Sequence, residues 1–579
     1  MSQDTSHAGS ARVGPAALAA LVVAVVGAAS VSMAKSMGYD EAMHAELPAA
    51  RMLVAAQQGE WGVAGDTLQA CQQYPFVYPV VLALVQAFTG VSELACRASG
   101  RVAWAIALFG IFLVAREVAA AIRREREKTA EGEDPRARWT PWIAFSLAAL
   151  SPTALAYSGT LFLEVPFVAV AMLALYAWLR REGEQRARQD VVAGALLALA
   201  LFTKFNYGGM LAAGCALDLA LEGVLSARAG RGRDWIRSAA RVALVPLVTC
   251  TWWFVLPWPG GLAQGASHRE AFLGFLAGNQ QMVSATFAQR LFDWGAGVFA
   301  SPRALIVALL GALVALRFVR VRAARSLWIV GIVATAPVVL HPYHLDRLLL
   351  PSAAYLWILA AVGLGSLLPR RPSARAAVVT ALLLVSLVQR DFDARFLMER
   401  GIPATSADPA VVAYREERLT EILSLAPQRA LPTAGLPRAE SDAALDALAG
   451  GAGDALRIGW LAAMEKMPPA ALHVGLLARG GSPRRWLEDL VASMPFGVEG
   501  TDPGWDQERL AETMQRFDVV FSTDPPDAFG SGKWAFLAAY RERMTRELGF
   551  TQVEFARIDL QPPLGKPKSV RLLALRRSP

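Results

Sequence analysis

The segment PAALAALVVAVVGAASVSMAKSMGYDEAMHAELP, residues 15–48, places a long apolar run directly before a cluster of ionisable side chains. Residues 15–34 are long enough to cross a hydrocarbon core of about 30 Å as a helix. The run is longer than the apolar part of a secretory signal. It therefore predicts an uncleaved first span, with cleavage near the small residue Ala34 as the alternative.

The composition predicts many such spans. The chain has 579 residues, of which 54% are hydrophobic, more than a soluble fold of this length carries. From residue 391 onward, charged residues, Gly and Pro recover the mix of a water-soluble domain. We therefore predict a membrane domain over residues 1–390 and a globular domain over residues 391–579. About eleven spans are predicted, near residues 15–34, 100–121, 140–158, 163–179, 190–203, 207–222, 241–258, 302–317, 326–340, 348–367 and 374–389.

Residues 35–99, here named the first loop, separate the first two predicted spans. The apolar stretch at residues 78–91 is short for a span and opens on aromatic and proline residues. We interpret it as a helix that lies in the membrane interface.

Loop charge predicts the orientation of the chain. With residues 78–91 outside the membrane, the densely basic loops fall on the side of the N-terminus, which is therefore predicted to be cytoplasmic. The first loop then faces outward from the inner membrane, and an odd span count places the C-terminal domain outside as well. The first two basic loops contain Arg123, Arg124, Arg126, Lys128, Arg136 and Arg138, and then Arg180, Arg181, Arg186 and Arg188.

The same charge pattern excludes a nucleic-acid partner as an explanation of the net charge of +8, because the basic residues sit in short loops between apolar runs. The four cysteines lack metal-ligand spacing. A disulfide between Cys71 and Cys96 is one reading, and isolated thiols are the other.

The acidic cluster after the first span is the first candidate site. An α-helix from Asp40 onward would place Asp40 and His44 one turn apart, and a carboxylate near the membrane could act as general base on an acceptor hydroxyl. A helix cap formed by Asp40 and Glu41 is the alternative. A metal site would need more ligands. We expect His44 and Glu46 to lie on the helix surface.

Two further candidates follow along the chain. Glu164 is the only acid between Asp134 and Glu182 and lies at the apolar boundary, where an ionisable group needs a partner or a function. A snorkelling acid is the alternative. Lys204, in LFTKFNYGG with Tyr207, suits a lipid phosphate, and an interfacial anchor is the alternative.

The loop HPYHLDR, residues 341–347, is the last candidate in the membrane domain. It holds two of the six histidines and Arg347, whose guanidinium can bind a phosphate through two hydrogen bonds. A structural contact of Arg347 with Asp346 or Glu164 is the alternative. We interpret Asp218 and Glu222, near the other end of a span, as structural.

The order of these pieces resembles the GT-C superfamily of integral-membrane glycosyltransferases, in particular the branch of protein O-mannosyltransferases and lipid A aminoarabinose transferases. The resemblance covers residues 15–370. It rests on the Asp40-Glu41 pair, YPFVYP (74–79), Arg101, SPTALAYSGTLFLEVP (151–166), ALALFTKFNYGG (198–209) and HPYHLDRLLLP (341–351).

The resemblance implies a polyprenyl-phosphate-linked sugar donor, a hydroxyl acceptor on a protein, lipid or glycan, and transfer of a hexosyl or pentosyl group with inversion. Some relatives use a divalent metal and others do not. The chain departs from some members at YPFVYP, which has no charged residue before the proline. In this reading Asp40, Glu41 and Glu164 are catalytic, and Lys204, Tyr207, Tyr343, His344, Arg347 and Tyr78 contact the donor.

The C-terminal part alternates strand-like and helical segments, as in LRIGWL, PPAALHVGLLAR and FDVVFST, which predicts a small α/β domain. We expect it to bind the acceptor or to serve assembly. The loop from Asp524 to Asp527 follows a strand and is interpreted as a turn. Competing classes for the whole chain are a lipid or solute transporter or flippase, which would need ionisable groups deep within spans and repeated halves, and a membrane scaffold.

Overall fold

The computed structural model is a helical body followed by an α/β domain. The residues it describes are 13–29, 42–71, 75–128, 138–182, 185–254, 298–299, 302–340, 346–369, 371, 373, 380, 438–462, 469–489, 507–525, 536–560 and 568–577.

The first loop contributes short helices that pack beside the long ones. A π-helical turn at Ala42–Glu46 runs into α2, Leu47–Gln57, and is followed by α3, Trp61–Ala70, and α4, Val77–Thr89. In α4, Tyr78 and Leu82 are buried, whereas Phe88 on the other face is 91% exposed. This one-sided burial fits a helix that lies on an apolar surface.

The helical body is built from apolar helices that pack around α5. Since α5 has 36 residues, it extends over about 54 Å and passes both boundaries of the predicted span 100–121. The helices are α1 (Val13–Ala29), α5 (Glu93–Lys128), α6 (Thr140–Ala149), α7 (Pro152–Ser158), α8 (Glu164–Leu179), α9 (Arg186–Thr203), α10 (Phe205–Arg228), α11 (Gly232–Phe254), α12 (Pro302–Ala315), α13 (Arg322–Leu340) and α14 (Asp346–Leu367).

Four of the described helices are long and apolar enough to cross a membrane, judged by length and composition: α5, α10, α13 and the part of α14 from Leu348 to Leu367. Ten of the predicted spans coincide with described helices, and the one near residues 374–389 lies almost wholly outside the described residues. Helices α12 and α14 approach very closely, since a Cβ on Gly363 would overlap the carbonyl oxygen of Gly311.

The structure corrects two expectations about local geometry. The predicted span 140–158 is broken into α6 and α7, because Pro152 lacks a backbone N–H and the Ser151 hydroxyl accepts from Ala154 N at 3.2 Å, which starts a new helix. In the first loop, the π turn replaces the regular α-helical spacing that was expected through His44.

Two further expectations concern single residues of the first loop. Glu46 was expected on the helix surface, but it is fully buried, since α4 and a helix of the C-terminal domain both pack against its turn. Cys71 and Cys96 are free thiols, so the disulfide reading is wrong.

A cluster of ionic contacts joins helix ends on the side of the body away from the first loop. Arg181 follows α8 and is fully buried, donating from Nε to Asp190 and from Nη2 to Glu222, each at 3.0 Å. Arg322 binds the other Glu222 oxygen at 2.6 Å. Asp218 accepts from Trp178 Nε1 at 2.9 Å. These contacts agree with a structural role for Asp218 and Glu222.

The C-terminal part has the predicted α/β fold. Its five-stranded sheet has the order β2-β1-β3-β5-β4, with β1 parallel to β2 and β3, and β5 antiparallel to β3 and β4. Trp460 and Phe521 pack on one face of the sheet and Val520 and Tyr540 on the other. The elements are α15 (Arg438–Ala452), β1 (Arg457–Leu461), α16 (Pro469–Ala478), β2 (Trp486–Asp489), α17 (Gln507–Met514), β3 (Val519–Asp524), α18 (Leu537–Arg546), β4 (Phe550–Leu560) and β5 (Lys568–Arg577).

The predicted turn from Asp524 to Asp527 begins at the end of β3, and its residues 526 and 527 lie outside the described residues. Asp524 forms ion pairs with Arg541, at 3.0 Å, and with Arg571, so its carboxylate holds α18 and β5 to the end of the strand.

Candidate active site

Glu164 is the first residue of α8, and its side chain is buried. It is 1% exposed, so it does not reach solvent as a snorkelling acid would. A carboxylate at this position is stabilised by the N-terminal end of the helix dipole. A buried carboxylate still needs a countercharge. This countercharge comes from the junction between α9 and α10.

Lys204 supplies that countercharge. It stands alone in extended conformation between α9 and α10, with φ −157° and ψ 105°. Its Nζ donates to Glu164 Oε1 at 2.6 Å, and the residue is only 8% exposed. Because the pair is largely removed from water, its electrostatic attraction is screened less than at a surface. The structure thus brings together two predicted site residues that are forty positions apart.

The sharp junction around Lys204 depends on Gly208. A Cβ at Gly208 would lie 2.5 Å from Leu201 Cα, so only glycine lets the first turn of α10 pack on the last turn of α9. Gly208 N also donates to Lys204 O at 2.8 Å. The Gly-Gly sequence after Tyr207 was the signal for this junction.

Tyr207 connects the lysine to the start of α14. Its ring lies 5.2 Å from Lys204 Nζ, and its hydroxyl donates to Leu348 O at 2.7 Å. Leu348 directly follows Arg347 in the first turn of α14. The backbone at Arg347 therefore lies close to the Tyr207 hydroxyl, whereas the Arg347 side chain is outside the described part of the structure.

Tyr78 lies in a buried cluster that joins the two acidic segments. The cluster contains Ala42, which follows Glu41 in the chain, and Leu163, which precedes Glu164. Tyr78 is 4% exposed and its hydroxyl lies 3.4 Å from Ser99 Oγ. The neighbours of both predicted acidic positions therefore share one apolar contact region.

Asp40, Glu41, Tyr343 and His344 lie outside the described residues. Among the residues that are described, no group of three or more His, Cys, Asp or Glu side chains is placed to hold a metal ion.

Aromatic side chains pack together around the residues that flank Lys204. Phe202 lies two residues before Lys204, and Phe205 follows it directly. Their ring centroids are 5.7 Å apart. Phe76 of the YPFVYP segment lies 5.5 Å from Phe202 and 4.7 Å from Trp253. Trp253 was not predicted as a neighbour of YPFVYP, although the adjacent tryptophans at the end of α11 were an available signal.

Arg101 and Gly100 support the segment that leads to Glu164. Arg101 is 3% exposed, and its Nη1 donates to Leu155 O at 2.8 Å and to Ser158 Oγ at 2.7 Å. A Cβ at Gly100 would lie 2.6 Å from Ser158 O, so the backbone before Glu164 rests directly on α5. Arg101 is one of the residues on which the resemblance to the family rests, but its contacts with this segment were not predicted.

The chain is a multi-pass membrane protein, and its fold is that of ArnT and AftD, two proteins of known structure. The predicted fold class is thereby confirmed.

The likeness was found among solved structures. ArnT from Cupriavidus metallidurans bound to undecaprenyl phosphate matches with a TM-score of 0.56 and 14% identity, over 96% of this chain and 97% of ArnT. The apo form of ArnT gives a TM-score of 0.55 and 15% identity over the same shares of the two chains. The arabinofuranosyltransferase AftD from Mycobacteria matches with a TM-score of 0.55 and 17% identity, over 98% of this chain and 40% of AftD. No protein-family model and no curated protein sequence matches the chain.

Proposed function

We propose that the chain is a glycosyltransferase that moves a sugar from a polyprenyl-phosphate donor to a hydroxyl acceptor at the outer face of the cytoplasmic membrane. The observation that carries the proposal is the buried pair of Glu164 and Lys204, with Nζ to Oε1 at 2.6 Å, beside the first loop. ArnT, which shares the fold, was solved bound to undecaprenyl phosphate, and AftD is named an arabinofuranosyltransferase. The first supports a polyprenyl-phosphate ligand, and the second supports sugar transfer.

The proposed chemistry needs a base on one side of the sugar and cations on the other. The Asp40 carboxylate, beside Glu41, takes the proton of the acceptor hydroxyl as its oxygen attacks the anomeric carbon. The bond from this carbon to the phosphate oxygen breaks, and its electron pair leaves with the polyprenyl phosphate. Attack opposite to the leaving group inverts the anomeric carbon.

Lys204 and Arg347 are proposed to hold the phosphate as its negative charge grows. Lys204 Nζ already donates to Glu164 Oε1, and an ammonium has further N–H donors that can bind a phosphate oxygen. Tyr207 is proposed to orient Lys204, and Tyr343, His344 and Tyr78 are proposed to contact the sugar or the phosphate. The aromatic side chains at Phe76, Phe202 and Trp253 offer an apolar wall beside these groups.

The proposal includes the domain division and the orientation. Residues 1–390 form the transferase domain, residues 391–579 form the second domain, the N-terminus is cytoplasmic and the second domain is extracytoplasmic.

Lipid and glycan analysis of a deletion strain tests the activity. We expect an accumulated polyprenyl-phosphate sugar and a glycan, glycolipid or glycoprotein that has lost one residue. The wild-type gene should reverse both changes. Asp40→Asn should reach wild-type abundance and reverse neither change, and Glu164→Gln should reverse neither when compared per folded molecule, while the exposed controls Asp454→Asn and Glu512→Gln should behave as wild type.

Two outcomes would contradict the proposal. Wild-type turnover in both Asp40→Asn and Glu164→Gln would remove the assigned acids from the mechanism. Lipid flipping by the purified protein in proteoliposomes, with no new glycosidic bond, would favour a flippase instead.

A further inference from the structure

Helix α16 of the α/β domain has two apolar faces with different partners. Leu472 and Leu476 pack into the core of their own domain, against the sheet. Val474 and Leu477 instead form a separate cluster with Ala50 and Val54 of α2. Since 474 and 477 are three residues apart and 472 and 476 are four apart, each pair shares one helical face. Within the described residues, the first loop is what covers the second face.

The same contact continues to the start of α2. Ala470 lies in the buried cluster that contains Ala42, Ala45 and Ala49. Small side chains at these positions let the two helices approach closely, so little apolar surface of α16 is left open. Val474 is 6% exposed and Leu477 is 3% exposed, which are values of a protein core.

Polar contacts fix the far end of this interface. Arg51 Nε donates to Pro483 O at 3.1 Å, and Arg484 Nε binds Glu60 Oε2 at 2.7 Å. Burial lowers the pKa of the Arg51 guanidinium, opposed by the nearby charge of Asp66. Directional bonds of this kind fix the loop after α16 against the first loop, whereas the apolar contacts supply most of the attraction.

The interface bears on the candidate active site through chain connectivity. Ala42 directly follows Glu41, and the cluster that binds Ala470 also contains Leu163, which directly precedes Glu164. Helix α2 has 11 residues, a length at which an isolated helix is marginal in water. Its structure therefore depends on packing, and α16 is one of its packing partners, beside α3 and α4.

We propose that the α/β domain is a structural part of the active site: α16 holds the segment that follows Asp40 and Glu41, and turnover requires this docking. Val474 and Leu477 are then positioning residues that act through α2. The catalytic part of this inference rests on the proposed function.

Hydrogen exchange and kinetics of the full-length protein in nanodiscs test the inference. Val474→Asp puts a carboxylate into the interface without touching the sheet core, and Ala50→Trp disrupts the same contact from the other side. Val553→Asp is the matched control, because Val553 is 48% exposed on β4. The substrate is the lipid-linked sugar that accumulates in the deletion strain, and donor affinity is measured with undecaprenyl phosphate.

In both interface variants, we expect the backbone amides of residues 47–57 to exchange hydrogen at least tenfold faster than in wild type. Exchange in β3 should be unchanged. Transfer should fall at least tenfold, while the affinity for undecaprenyl phosphate changes less than threefold. The control should match wild type in all three measurements. If Val474→Asp also speeds exchange in β3, this variant has disturbed the α/β domain itself, and the result with Ala50→Trp decides whether docking is required.

Unchanged exchange in residues 47–57 would show that α16 does not hold α2. Faster exchange with wild-type transfer, or an equal loss of transfer and lipid affinity, would overturn the positioning role. A wild-type protein that transfers no sugar would instead overturn the proposed function and with it the catalytic part, and the exchange data would still decide the docking.

Discussion

Lys204 Nζ lies 2.6 Å from Glu164 Oε1, and this contact ties the start of α8 to the junction of α9 and α10. Removing one member leaves the other without its nearest countercharge in an apolar place. We expect Lys204→Met and Glu164→Leu each to lower the free energy of unfolding by about 3–5 kcal/mol. The double variant should recover most of that stability, measured as the unfolding midpoint in detergent, but no transfer.

This double variant tests whether the ion pair is needed only for stability or also for sugar transfer. If it regained transfer together with stability, the pair would serve only the fold. If the single variants unfolded like wild type, the contact would contribute little to stability.

The second prediction concerns the support under the segment before Glu164. Gly100→Ala would place a Cβ 2.6 Å from Ser158 O, so the backbone leading to Glu164 must move. A shift of about 1 Å in a catalytic group can cost roughly 100-fold in rate. We expect Gly100→Ala to lower kcat by about that factor with a smaller change in KM.

Arg101→Lys tests the hydrogen bonds by which Arg101 holds the same segment. A lysine keeps the charge but lacks the planar fork of donors. We expect an intermediate loss of kcat. Gly62→Ala is the control, since nothing lies within 4 Å of a Cβ there. Equal kinetics in Gly100→Ala and Gly62→Ala would show that the segment tolerates the shift.

The third prediction concerns the buried ionic cluster at the other end of α8. Glu164 begins this helix and Arg181 follows its end, so about 24 Å separate the two sites. Arg181→Met removes a partner of both Asp190 and Glu222, and we expect it to lower the free energy of unfolding by about 3 kcal/mol.

Because the cluster lies far from the proposed chemistry, transfer per folded molecule should stay at the wild-type level. The exposed Arg188→Met is the matched control and should change stability by less than about 0.5 kcal/mol. A loss of kcat in folded Arg181→Met would place this cluster in the catalytic cycle.

The fourth prediction concerns pH. Burial lowers the pKa of His473, in α16, to about 3; the charge of Arg51 and that of Arg485 lower it too, and a backbone hydrogen bond with Arg485 opposes them. The folded state therefore keeps His473 neutral while the unfolded state binds a proton below about pH 6.5. The contribution of neutral His473 to the free energy of unfolding is therefore complete above that pH, and it is lost as the pH falls towards 3.

We expect this loss to have a slope of up to about 1.4 kcal/mol per pH unit. Denaturant midpoints of wild type and His473→Gln between pH 7 and pH 4 measure it, and the variant should show the flatter profile. Parallel profiles would mean that other groups cause the acid sensitivity.

The strands of the α/β domain show how far local pattern reaches. FDVVFST predicts β3, and the structure has a strand at Val519–Asp524. The four-residue β2, Trp486–Asp489, was missed, because half of its residues are acidic and its extended form depends on pairing with β1.

The candidate site shows the same limit. Lys204 and Glu164 could each be selected as costly charges near an apolar boundary, but neither residue specifies the other as its partner. The aromatic side chain of Trp253 and the guanidinium of Arg101 gain their roles only from neighbours in other helices. Such contacts depend on helix packing, which local periodicity does not encode.

By itself, the sequence determined that this chain has many apolar helices and a smaller α/β domain. The physical reason is that a bilayer offers no water to backbone groups, so each long apolar run must satisfy its own hydrogen bonds as a helix. The tertiary structure alone decided that Lys204 meets Glu164, that Glu46 is buried and that α16 docks on α2. These contacts join segments far apart in the chain, and they exist because helices bury their apolar faces and buried charges need a close countercharge.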